Sequence, residues 1–133
     1  MVDCIFCKIV KGEIPSYKIY EDREFLAFLD VFPATKGQTL ILPKKHVPYL
    51  FDLDERSYVK LFSLTKGVAK AIDAALDPER SCIVVEGFQV PHVHVRLHPC
   101  YEQKLLLKPI DPRPSDAELE KILQKVKEKL RLL

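Results

Sequence analysis

Apolar positions recur along this chain with two periods, and the changes of period mark out its elements. Cys4 to Lys11 reads as a short helix that stops at Gly12, and Glu13-Ile14-Pro15-Ser16 is a connector. Tyr17 to Tyr20 and Glu24 to Asp30 read as strands around a polar turn at Glu21-Asp22-Arg23. A loop punctuated by Pro33 and Gly37 leads to Thr39-Leu40-Ile41-Leu42-Pro43, a strand of branched apolar residues ended by proline. Behind Asp54, which can cap them, Tyr58, Leu61, Phe62, Ala69, Ile72 and Leu76 recur at helical spacing until Asp77-Pro78. Ser81 to Val85 and Pro91 to Leu97 are predicted strands separated by Glu86-Gly87-Phe88-Gln89. Ser115-Asp116-Ala117-Glu118 is a capping box that opens a last helix, about 115–132, with Leu119, Ile122, Leu123, Val126 and Leu130 on one face. Strands linked by short turns predict a mostly antiparallel α+β fold rather than a doubly wound one.

The length of 133 residues suits a single domain, 1–133, and such a chain buries roughly two-thirds of its unfolded surface, enough for a core without staples. A net charge of only +2 makes no electrostatic case for duplex nucleic acid or a membrane surface as partner. No run reaches the roughly 20 apolar residues of a spanning helix, and the polar-interrupted start is unlike a secretory leader. A cytoplasmic protein is expected, with nuclear access left open. Four cysteines could form two bridges, but in a reduced compartment Cys4-x-x-Cys7 suits a metal or redox role. Cys82, in an apolar strand-like run, is expected to be a buried small hydrophobe, and Cys100 has no assigned role.

The chemistry concentrates on His92-Val93-His94-Val95-Arg96-Leu97-His98-Pro99. Strand side chains alternate between faces, which puts His92, His94, Arg96 and His98 on one side and Val93, Val95 and Leu97 toward a core. Same-face neighbours stand about 7 Å apart, so the four divide their work along an extended ligand or between adjacent sites. Three of the four histidines in the chain fall on this face, more than a solvated strand gathers by chance. Imidazole ligates metals when neutral and serves as nucleophile or proton carrier near neutral pH. Arginine clamps phosphate oxygens. Both types on one face point to phosphoryl or nucleotidyl chemistry.

Four segments, these residues among them, resemble the histidine-triad (HIT) family over nearly the whole chain. The segments are Cys4-Ile5-Phe6-Cys7-Lys8-Ile9 with Gly12-Glu13-Ile14-Pro15, then Phe28-Leu29-Asp30, then Gly37 to His46, then Val90-Pro91-His92-Val93-His94. The resemblance implies a five-stranded antiparallel sheet with helices packed against it, and a two-fold homodimer whose sheets combine. It implies that His94 is the nucleophile toward the α-phosphorus of a nucleoside phosphoramidate or dinucleoside polyphosphate. Arg96 then stands at the third triad position, Asp30 meets the ribose hydroxyls, and Ile14, Phe28 and Val31 wall a purine base pocket that Gln89 adjoins. It further implies one structural zinc per chain on Cys4, Cys7, His46 and His92, a set with no open position.

The chain departs from the family at Arg96, where the third histidine is expected, and at Gln38, where the central strand carries a histidine. His98 replaces an apolar residue and Cys100 an arginine. Arg96 can hold phosphate charge but cannot release a proton at neutral pH, and loss of one general acid typically costs about 100- to 10,000-fold. His98 is the other imidazole available to compensate, but it sits about 7 Å further along the strand. Three readings follow: a nucleotide hydrolase or transferase acting through His94; a nucleotide-binding, regulatory protein with little turnover; and a zinc-stabilised interaction module.

Overall fold

In the computed structural model, which describes residues 3–132, five strands form one antiparallel sheet. The ends of the predicted domain, Met1, Val2 and Leu133, lie outside the described residues. The order is α1 (Ile5–Val10), β1 (Lys18–Glu21), β2 (Phe25–Leu29), β3 (Thr39–Pro43), α2 (Glu55–Leu76), β4 (Arg80–Val84), β5 (Val95–Cys100) and α3 (Asp116–Arg131). Across the sheet the strands run β1-β2-β3-β5-β4. The expected α+β architecture is therefore what the chain adopts. None of its described helices is long and apolar enough to cross a membrane.

Every residue of β2 and β3 is buried, as in strands covered on both faces. Alternation divides them. Phe25, Ala27, Leu29 and Ile41 join Leu61, Val68 and Ile72 of α2 and Leu119, Ile122 and Val126 of α3 in the main core. Leu26, Phe28, Leu40 and Leu42 turn the other way and pack on Phe6 and Ile9 of α1. Val93, Val95 and Leu97 enter the main core as the alternation predicts. The caps lie where the sequence put them: the Asp54 carboxylate accepts Ser57 N–H at 2.7 Å, and the Ser115 hydroxyl accepts Glu118 N–H at 3.1 Å.

The histidine-bearing strand begins four residues later than predicted and ends at Cys100. Its ladder to β3 starts at Ile41–Val95, because β3 stops at Pro43, which has no N–H to offer. His92 and Val93 bond elsewhere: His92 N–H donates to Val90 O at 2.8 Å and Val93 N–H to Val47 O at 2.8 Å. The extended direction continues, so the alternation of faces survives the loss of ladder bonds. Cys82 also differs from expectation. It is half-buried rather than buried, because β4 is an edge strand.

His98 is sealed completely, and neither ring nitrogen has a hydrogen-bond partner. It does not line the cavity that holds His94, so it cannot stand in for the missing third histidine. Burial and the Arg96 charge push its pKa down; the Leu106 backbone opposes this without the alignment of a hydrogen bond. A histidine depressed in this way leaves the native state indifferent above the unfolded pKa near 6.5 and destabilises it as pH falls below that value. His98→Leu is expected to raise stability by about 1–3 kcal/mol at pH 7, with the advantage growing toward pH 5. Denaturant titrations at both pH values check this. A variant less stable than the parent at each would show that the ring is satisfied.

Candidate functional site

Two clusters occupy the α1 side of the sheet. The first collects Cys4 and Cys7 from the start of α1, His46 from the segment after β3 and His92 from the approach to β5. Cys4 Sγ lies 3.5 Å from His92 Nδ1, and Cys7 Sγ lies 3.3 Å from His46 Nδ1 and 3.6 Å from His92 Nδ1. The two Nδ1 atoms are 3.2 Å apart. Ligands around one tetrahedral zinc, at its usual bond lengths, stand about 3.3–3.8 Å from one another, so these four atoms describe such a cage. The donor chemistry fits as well. His92 Nε2 is 2.8 Å from Pro43 O; its N–H donates there, which leaves the Nδ1 lone pair facing the cluster. Burial pushes the His92 pKa down, favouring the neutral ligand form. Burial and the neighbouring Cys4 push the Cys7 thiol up. These residues can hold a metal.

The second cluster is a cavity of about 440 Å³ beside the first. Ile14, Phe28, Asp30, Val31, Gln89, His94 and Arg96, the residues assigned to ligand contact on sequence grounds, all line it. His94 is nearly buried and takes the edge-to-face contact of Phe6 at 4.7 Å between ring centres. Its Nδ1–H donates to His92 O at 2.7 Å, which leaves Nε2 with a free lone pair. Burial pushes its pKa down against the pull of that carbonyl, and the Arg96 charge adds to the drop, which favours the neutral ring. Arg96 joins no salt bridge among the described residues, and its Nε is buried without a partner. An unpaired guanidinium in a half-enclosed cavity calls for an anion.

Gln38 explains its own departure from pattern. Its Oε1 accepts Ala34 N–H at 2.8 Å and its Nε2 donates to Asp30 Oδ2 at 2.8 Å, while Asp30 Oδ1 accepts Phe32 N–H at 2.9 Å. The carboxylate is thereby fixed at both oxygens, each keeping lone-pair capacity for a hydroxyl donor. Gly37, at φ +85°, forms the turn before it, and any Cβ there would collide with Leu76. Phe6, Glu86, Leu107 and Pro109 also line the cavity and were missed from the sequence. Phe6 sits in an apolar run next to Cys7, a usable signal; the other three carry none. A separate cavity of about 450 Å³ lies between α3 and the proline-rich segment, sharing only Leu29, Asp30 and Gln38 with the first.

The family model described as HIT domain matches residues 11–103. The adenosine 5'-monophosphoramidase hnt1 of Schizosaccharomyces pombe is 36% identical over 137 residues, covering 95% of this chain and 100% of that protein. An uncharacterized HIT-like protein of Borreliella burgdorferi is 46% identical over 72 residues; there the match spans about half of each protein, 54% of this chain and 52% of the relative. Among solved structures, a zinc-bound histidine triad family protein from Mycobacterium smegmatis superposes with a TM-score of 0.83 at 28% identity, covering 98% of this chain and 94% of that one.

Proposed function

Since this chain belongs to the HIT domain family, we propose that its cavity binds a purine nucleotide and that His94 transfers the nucleotidyl group. The substrate class is a nucleoside phosphoramidate or dinucleoside polyphosphate. His94 Nε2 attacks the α-phosphorus, the bond from phosphorus to the leaving nitrogen or oxygen breaks, and water later cleaves the P–N bond to His94, releasing the nucleoside monophosphate. One observation carries this reading. The Nδ1 bond to His92 O presents the free Nε2 of a neutral His94 in the same cavity as the unpaired Arg96. Arg96 neutralises the phosphate charge, and Asp30, braced by Gln38, accepts the ribose hydroxyls. The activity named for the S. pombe relative supports an adenosine phosphoramidate in particular.

A second reading is favoured by Arg96 and Gln38, neither of which releases a proton at neutral pH. On it the chain binds nucleotide and turns over little, because the leaving group goes unprotonated. The metal site serves either reading: four protein ligands leave no open position, so zinc there is structural. A two-fold dimer accords with exposed Ile83 on the edge strand β4 and with exposed Leu105, Leu106 and Ile110. Sedimentation should then give twice the chain mass.

Binding is tested by titrating AMP and its 2',3'-dideoxy analogue. The parent protein is expected to prefer AMP, and Asp30→Ala to lose about 10-fold or more for AMP alone, the worth of hydrogen bonds to a charged group. Equal affinity of the parent for the two ligands would remove Asp30 from the ribose.

A further inference from the structure

Away from both clusters, a second pair of cysteines is in contact. Cys82 of β4 and Cys100 of β5 have sulfurs 3.7 Å apart, with the Cys100 S–H donating to Cys82. Both are free thiols. The ladder sets Cys82 opposite His98 and Arg80 opposite Cys100, so the two cysteines are diagonal neighbours on one sheet face. They open on a cavity of about 460 Å³ that also presents Arg80, Lys104 and one carboxylate, Glu79. Neither thiol takes part in the metal cluster or the His94 cavity.

The two differ in ways that divide a reaction between them. Cys82 is half-buried, lies beside Arg80 and Lys104 in the cavity and accepts the S–H bond; Cys100 is buried, and burial together with Cys82 pushes its pKa up. We propose that Cys82 and Cys100 are a reversible thiol–disulfide couple, with Cys82 the attacking thiolate and Cys100 the resolving thiol. The oxidant is a low-molecular-weight disulfide. Cys82 attacks one of its sulfurs, the S–S bond breaks, one thiol leaves, and a mixed disulfide remains on Cys82. Cys100 then gives up its proton and attacks the Cys82 sulfur, expelling the second thiol. The protein loses two hydrogens and two electrons, and the small disulfide becomes two thiols.

Diagonal strand neighbours sit further apart than a relaxed disulfide prefers, so closure must draw β4 along β5. A bond made that way belongs to the readily reduced, switching class rather than to the structural one. It would tie the edge strand to the strand that carries Arg96, whose ladder partner is Val84.

The test uses the full chain with zinc salt present, so that Cys4 and Cys7 are protected, exposed to glutathione disulfide and quenched in acid. Intact mass should fall by two hydrogens, peptide mapping should join Cys82 to Cys100, and dithiothreitol should restore the starting mass. Cys100→Ser should stop at one glutathione on Cys82, and Cys82→Ser should leave Cys100 unmodified. Zinc content equal to the parent's shows that both variants fold. A lasting glutathione adduct on the parent, a Cys82–Cys82 link between chains, or modification of Cys100 at undiminished rate in Cys82→Ser would each overturn the proposal.

Discussion

His94→Asn is expected to cut turnover of adenosine 5'-phosphoramidate by about 10,000-fold or more and to leave AMP affinity within about threefold. The magnitude follows from removing the atom that bonds to phosphorus, since loss of a nucleophile removes the covalent route rather than weakening it. Asparagine is chosen for its shape. Its amide N–H can replace Nδ1–H as donor to His92 O, the bond of 2.7 Å that orients the ring. The cavity wall of Ile14, Phe28 and Val31 and the Asp30 carboxylate are untouched, so ground-state binding should persist. Steady-state kinetics beside an AMP titration separate the two quantities. The companion variant Arg96→His restores a proton donor at the third triad position, and turnover should rise by about 100-fold if protonation of the leaving group limits the parent. Unchanged turnover in that variant would place the limit elsewhere.

The second large effect concerns the metal cage. Cys4→Ser/Cys7→Ser, or removal of zinc by a chelator, is expected to lower stability by about 4 kcal/mol when zinc is at a thousandfold excess over its Kd. For a domain of this size that corresponds to a Tm lower by about 10 °C or more. The loss should fall on α1 in particular. This helix has six residues, too few to persist alone, and Cys4 caps it through a 3.4 Å contact with Cys7 N–H. Because Phe6 and Ile9 of α1 line the His94 cavity, stripping the metal should also weaken AMP binding. Thermal melts and nucleotide titrations with and without chelator measure both. An unchanged Tm after chelation, with elemental analysis showing the metal gone, would mean that the cage does not hold the helix.

What could be read in advance depended on how local its cause is. Both long helices start at the caps predicted for them because Asp54 and Ser115 bond to backbone within three residues. β3 ends at Pro43 for an equally local reason, the missing N–H. The alternation His92, Val93, His94, Val95 placed its side chains correctly, while the start of β5 was missed because it depends on how far β3 reaches, a fact held by another part of the chain. Cys4 and His92, which could share a metal, stand 88 residues apart, and only a family resemblance joined them. The sealing of His98, the contact of Cys82 with Cys100 and the brace of Gln38 on Asp30 had no signal of period or spacing. Each is a product of strand pairing or loop closure.

The nucleotidyl-His94 intermediate is tested most directly by intact mass spectrometry of the purified chain mixed with adenosine 5'-phosphoramidate and quenched within one turnover. A gain of one adenylyl group is expected, mapped to His94 and absent from His94→Asn. Tight AMP binding with steady release of AMP and no adduct at any time would contradict the covalent route, and binding with neither adduct nor release would leave the chain a nucleotide-binding protein.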